Sequence, residues 1–129
     1  MGRLFIENEH DYDLEKHYYC KLCKDLKIEI GTESKICPIE CETATESCVI
    51  FYEILETNII VPENFIKCEI HPNSNSTFCI LDLDAIVPRG YVKEISCIGC
   101  LDIIGWYISY HTEYRFLMGL FIMKKSKLN

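Results

Sequence analysis

The sequence predicts an all-β domain closed by a metal ion. Short segments rich in β-branched and aromatic residues recur along the chain, with little helical periodicity. Turn signals built on Gly, Pro and Asn separate them. Two Cys-x-x-Cys pairs, Cys20 with Cys23 and Cys97 with Cys100, bracket most of the 129 residues. Several short strands at this spacing suit a sandwich or a partly open barrel.

His17-Tyr18-Tyr19 is an aromatic run into the first cysteine pair, where a strand would turn back. Residues 26–30 alternate as Leu-Lys-Ile-Glu-Ile, which puts Leu26, Ile28 and Ile30 on one strand face. Residues 31–47 are mostly polar, contain Pro38 and read as a loop. Residues 48–61 (CVIFYEILETNIIV) are long enough for one central, bent strand that Pro62 ends. Residues 65–70 alternate again, and residues 71–76 (HPNSNS) form a turn or insertion. A strand in residues 77–87 ends at the turn Pro88-Arg89-Gly90. Residues 91–96 then lead into the second cysteine pair. Residues 104–110 and 120–123 are the last strands, and residues 112–118 have room for one helical turn.

Hydrophobic residues make up 49% and charged residues 26%, the balance of one globular domain. No signal peptide is expected, because the N-terminus turns acidic at Glu7 before a long apolar run forms. Ile6 breaks a myristoylation motif after Gly2. No apolar run approaches a membrane-spanning length. Nine cysteines in a reducing compartment bind metal or pack in the core. The formal net charge of −7 argues against nucleic acid. The basic tail Lys124-Lys125-Ser126-Lys127 reads as a solvated end.

A two-residue spacer lets both sulfurs of a pair reach one ion from a tight turn, so two pairs supply the four thiolates of a tetrahedral zinc site. The expected cofactor is one structural Zn2+ held by Cys20, Cys23, Cys97 and Cys100. A rival set, Cys20 and Cys23 with Cys37 and Cys41, would strand the second pair. Cys48, Cys68 and Cys79 fall in strand patterns and read as small core residues. His10, His17, His71 and His111 have no metal spacing among themselves; His17, beside the first pair, reads as an exposed ring or a donor to a thiolate. Asp82 with Asp84, and Glu40 with Glu42, lack a neighbouring nucleophile and read as solvated carboxylates. No phosphate-binding or dinucleotide motif is present.

Four stretches resemble the Yippee family of small zinc proteins. They are Tyr19-Cys20-Lys21-Leu22-Cys23, Val49-Ile50-Phe51-Tyr52, the run of residues 92–100 ending in Cys97-Ile98-Gly99-Cys100, and Gly105-Trp106 followed by residues 114–122. The chain departs from the family at Asp25-Leu26-Lys27, where a His is usual, and its gap between cysteine pairs is longer. The resemblance implies a β-tent of two roughly orthogonal antiparallel sheets pinned by a four-cysteine zinc site. It places an N-terminal extension at residues 1–16 and the zinc domain at residues 17–127. The β-tent superfamily includes methionine sulfoxide reductase B, cereblon and a centromere-licensing family. Phe121 stands where the reductase keeps its nucleophilic cysteine, which excludes that chemistry.

The resemblance implies a non-enzymatic adaptor that binds protein partners in the nucleus or cytoplasm, without nucleic acid or membrane, as monomer or homodimer. One alternative is a self-associating protein of the centromere-licensing kind. Another is a small-ligand module whose pocket gathers Trp106, Tyr107, Tyr91 and Phe51 around a cation or small ring. Against that pocket stands a plain core role for Trp106.

Overall fold

The computed structural model describes residues 14–23, 25–72 and 77–129. Most of the N-terminal extension, with His10, and the centre of the 71–76 turn lie outside the described residues. Ten strands follow in order: β1 (His17–Tyr19), β2 (Glu29–Thr32), β3 (Ile36–Glu42), β4 (Ser47–Phe51), β5 (Ile59–Ile60), β6 (Ile66–Pro72), β7 (Phe78–Asp82), β8 (Gly90–Cys97), β9 (Ile103–His111) and β10 (Phe121–Lys124). Four short 3-10 turns, at Glu33–Lys35, Glu56–Asn58, Arg115–Leu117 and Lys125–Lys127, are the helical segments among the described residues. None is long and apolar enough to cross a membrane.

β1 and β2 form a small antiparallel sheet. The other eight strands run β5-β8-β6-β7-β3-β4-β10-β9, and β9 also pairs with β8. The large sheet therefore closes on itself, which leaves few free edges. Pairing is antiparallel except between β3 and β7. The all-β class follows from the sequence as expected, and the two sheets meet at the cysteine pairs.

Three boundaries differ from expectation. Residues 31–47 hold β3, with Cys37 and Cys41 buried while Pro38, Glu40 and Glu42 face solvent. The register shifts between Ile36 and Glu40, and Pro38 sits in that irregularity, where a missing N–H costs least. Residues 48–61 are two strands, not one: β4 ends at Phe51, and the chain bends through Glu56–Asn58 before β5. Leu26 is 67% exposed in the turn before β2, so it does not share the face of Ile28 and Ile30.

The interior has two clusters. One gathers the buried thiols of Cys37, Cys41, Cys48, Cys68 and Cys79 with Trp106. The other surrounds Phe51, Ile95 and Ile104 and reaches Cys20, Cys23 and Cys97. β9 crosses β10 so closely that a Cβ on Gly105 would stand 2.3 Å from the Ile122 carbonyl oxygen, which accounts for the glycine of the Gly105-Trp106 pair. The C-terminal segment is tied down rather than loose. Tyr19 and Asn129 exchange backbone hydrogen bonds, Lys127 Nζ pairs with Asp102 at 2.9 Å, and Lys124 Nζ lies 5.2 Å from the Trp106 ring centre.

Candidate metal centre

Each Cys-x-x-Cys pair sits in the connection of an antiparallel strand pair. Cys20 and Cys23 follow β1 and precede β2; Cys97 ends β8, and Cys100 precedes β9. Backbone hydrogen bonds shape both tips. Cys23 N donates to Cys20 O at 3.3 Å, and Leu101 N donates to Cys97 O at 2.8 Å. Gly99 N donates to Cys97 Sγ at 3.3 Å, a bond that favours a thiolate.

The fold brings the two tips together. One ligand atom from each of Cys20, Cys23, Cys97 and Cys100 lies within 4.8 Å of the others. Cys20 Sγ is 3.7 Å from Cys100 Sγ, and Cys23 Sγ is 3.6 Å from Cys97 Sγ. Four thiolates about 2.3 Å from one tetrahedral ion would stand about 3.8 Å apart, whereas a disulfide needs about 2.05 Å. The spacing therefore fits a tetrahedral metal and not a disulfide. Three of the four residues are buried, and Cys100 is partly exposed.

Packing four thiols together in a buried site makes it costly to ionise them all. Burial, followed by hydrogen sharing with Cys97, pushes the Cys20 and Cys23 thiols above their ordinary range. Burial acts the same way on Cys97, but the backbone N–H groups of Cys100 and Gly99, together with the Cys20 and Cys23 thiols, outweigh it and bring its thiol below that range. A thiophilic ion would replace these shared protons with metal–sulfur bonds.

The rival ligand set is not assembled. Cys41 is in register with Cys79 on β7 and Cys48 on β4, and with Cys37 it packs in the other core cluster. His17 Nδ1 pairs with the Glu29 carboxylate, not with a thiolate. Asp82 accepts the backbone N–H of Asp84 at 3.0 Å, closing a turn.

The four residues of the expected aromatic pocket are not brought together. Trp106 is buried in one core cluster and Phe51 in the other, against which Tyr107 also packs. Tyr91 lies outside, between Phe65 and Tyr110, with ring centres 6.1 and 6.3 Å away. Tyr107, next to Trp106 on β9, packs against Phe121 with ring centres 5.1 Å apart. Side chains of consecutive strand residues point to opposite faces, which separates Trp106 from Tyr107.

A buried polar group escaped the sequence reading. Glu69 and His111 are both buried; Arg89 Nε reaches Glu69 at 3.0 Å, and His111 Nε2 lies 3.3 Å from it. The visible signal was a carboxylate between Cys68 and Ile70, in the middle of a strand pattern.

No family model matches the chain, and no curated protein matches it. Among solved structures, the crystal structure of the Mis18 "Yippee-like" domain superposes with a TM-score of 0.58. The match covers 89% of this chain and 93% of that one, at 12% sequence identity. With strands that close around two facing cysteine turns, the chain carries the Yippee-like fold.

Proposed function

We propose that the chain is a non-enzymatic zinc-binding adaptor, in which one structural Zn2+ fixes the fold and the surface recruits another protein. The observation that carries this reading is the four-thiol cluster. Four thiolates fill the coordination shell of zinc and leave no position for a catalytic water. The likeness in fold to a Yippee-like domain supports it, as does an exposed aromatic row. Phe65 is 58% exposed, Tyr110 45% and Tyr91 40%; Tyr91 meets Phe65 in a T-shaped contact and Tyr110 at a tilt of 52°, and Lys93 lies over Phe65. Exposed aromatic rings on rigid strands are characteristic anchors of protein interfaces. The nucleus or cytoplasm is the location this reading implies.

Cross-linking in cells tests it. Wild-type protein should capture specific proteins that a folded Phe65→Ser, Tyr91→Ser, Tyr110→Ser variant loses. Equal recovery by both, or no recovery above an unrelated β protein, would contradict the reading.

The same exposed ring row suits a second reading, self-association through that face. Light scattering separates the two: a monomer fits the adaptor, and a concentration-dependent oligomer lost in the triple variant fits self-association.

A further inference from the structure

Tyr107 lines a concavity of about 380 Å³, on the side of β9 away from Trp106. Tyr52, Phe121, Glu53 and Glu56 share it. Tyr107 packs on the buried Phe121, their rings inclined at 45°. Tyr52 is 49% exposed. Glu53 is paired with Lys35 at 3.3 Å, whereas the Glu56 carboxylate has no ion-pair partner among the described residues.

We infer that this cavity binds an alkylated ammonium cation through the rings of Tyr52, Tyr107 and Phe121 and the carboxylate of Glu56. Three aromatic residues line this one cavity, and an aromatic face attracts a cation within about 6 Å. A carboxylate beside them adds charge without closing the cavity. A metal ion would find too few oxygen ligands. An anion would meet carboxylates on a chain of net charge −7. A neutral ring would leave Glu56 without a counter-charge. A bare ammonium holds its water strongly, but a trimethylammonium group carries a weakly hydrated methyl shell that aromatic walls can cover. The volume accommodates such a group with part of its stem. The shared chemistry is the methylated cation, whether it comes as a free choline-like molecule or as a trimethyllysine side chain. The inference is independent of what the cysteines bind.

The test is an NMR titration of the full, metal-loaded chain with choline and with 3,3-dimethylbutan-1-ol, its uncharged isostere. A trimethyllysine peptide and its unmethylated counterpart identify the source of the cation. The expected result is saturable shifts of the amides of residues 52–56 and 107, with the charged ligand binding at least tenfold more tightly than its neutral or unmethylated partner. Glu56→Gln, a substitution in an exposed turn, should weaken binding about three- to tenfold, and Tyr107→Leu about tenfold or more. Tighter binding of choline would assign a free ligand, and tighter binding of the peptide a protein side chain. Equal binding of choline and its isostere, or no saturable shift with either methylated ligand, would overturn the inference.

Discussion

Cys23 Sγ occupies the space that a side chain on Gly99 would need. A Cβ on Gly99 would stand 2.8 Å from that sulfur and 3.3 Å from Ile28 Cγ1. The two cysteine turns therefore interlock, and the spacer residue of the second turn is small because the first turn packs against it.

Gly99→Ala should push Cys23 off its position. The expected cost is about 1–3 kcal/mol of stability, the range for overpacking, with weaker metal retention. Thermal melting and competition with a chelator would read both. Unchanged values would mean that the two turns stand further apart than described.

Leu101, directly after Cys100, has φ of 62° and is 65% exposed. A left-handed conformation costs an L-residue about 1–2 kcal/mol, and glycine avoids it at the expense of backbone entropy. Leu101→Gly should raise stability by about 0.5–1 kcal/mol in urea unfolding, since little packing is lost.

Glu69 depends on its partners. His111 Nδ1 accepts the backbone N–H groups of Glu113 and Tyr114 at 3.1 and 3.0 Å, so the Nε2 hydrogen faces Glu69. Arg89 then supplies the positive charge and also binds Glu113 at 2.7 Å. Arg89→Ala should cost about 3 kcal/mol by leaving a carboxylate buried without its charge partner. Adding Glu69→Leu to Arg89→Ala should recover much of that loss, and no recovery would show that the ion pair is not the cause.

Alkaline pH should weaken the fold through two core thiols. Burial pushes Cys48 up to about 12, with Glu46 adding to it, and pushes Cys68 up to about 12, with Glu69 adding to it. The unfolded chain loses these protons near pH 9, and the folded chain holds them longer. The stabilisation is complete below pH 9 and is lost as pH rises from 9 toward 12. Cys68→Val should flatten the decline of urea midpoints above pH 9 without changing metal content. A decline as steep as in wild type would exclude Cys68 as a contributor.

The most legible parts of the sequence were those in which local chemistry and tertiary role coincide. The Cys-x-x-Cys spacing specified both a turn and a donor pair. The β-branched runs before Cys97 and after Asp102 became β8 and β9. β3 was hidden because Pro38, Glu40 and Glu42 make its solvent face look like a loop, while its buried face consists largely of cysteines. The split of residues 48–61 was equally hidden, since Ile54 and Ile59 are buried from a bend and a two-residue strand as effectively as from one long strand. Lys27 lies at φ 47° after the first turn and breaks the alternation that Leu26 began. The aromatic pocket failed because proximity along a strand places neighbouring rings on opposite faces. Only tertiary structure joins Tyr107 to Tyr52.

Metal content by elemental analysis, on wild type and on a Cys97→Ser Cys100→Ser variant, tests the central claim most directly. One zinc per chain, lost in the variant together with the fold, is the expected result. Zinc retained by the variant would contradict a centre that joins the two distant cysteine pairs.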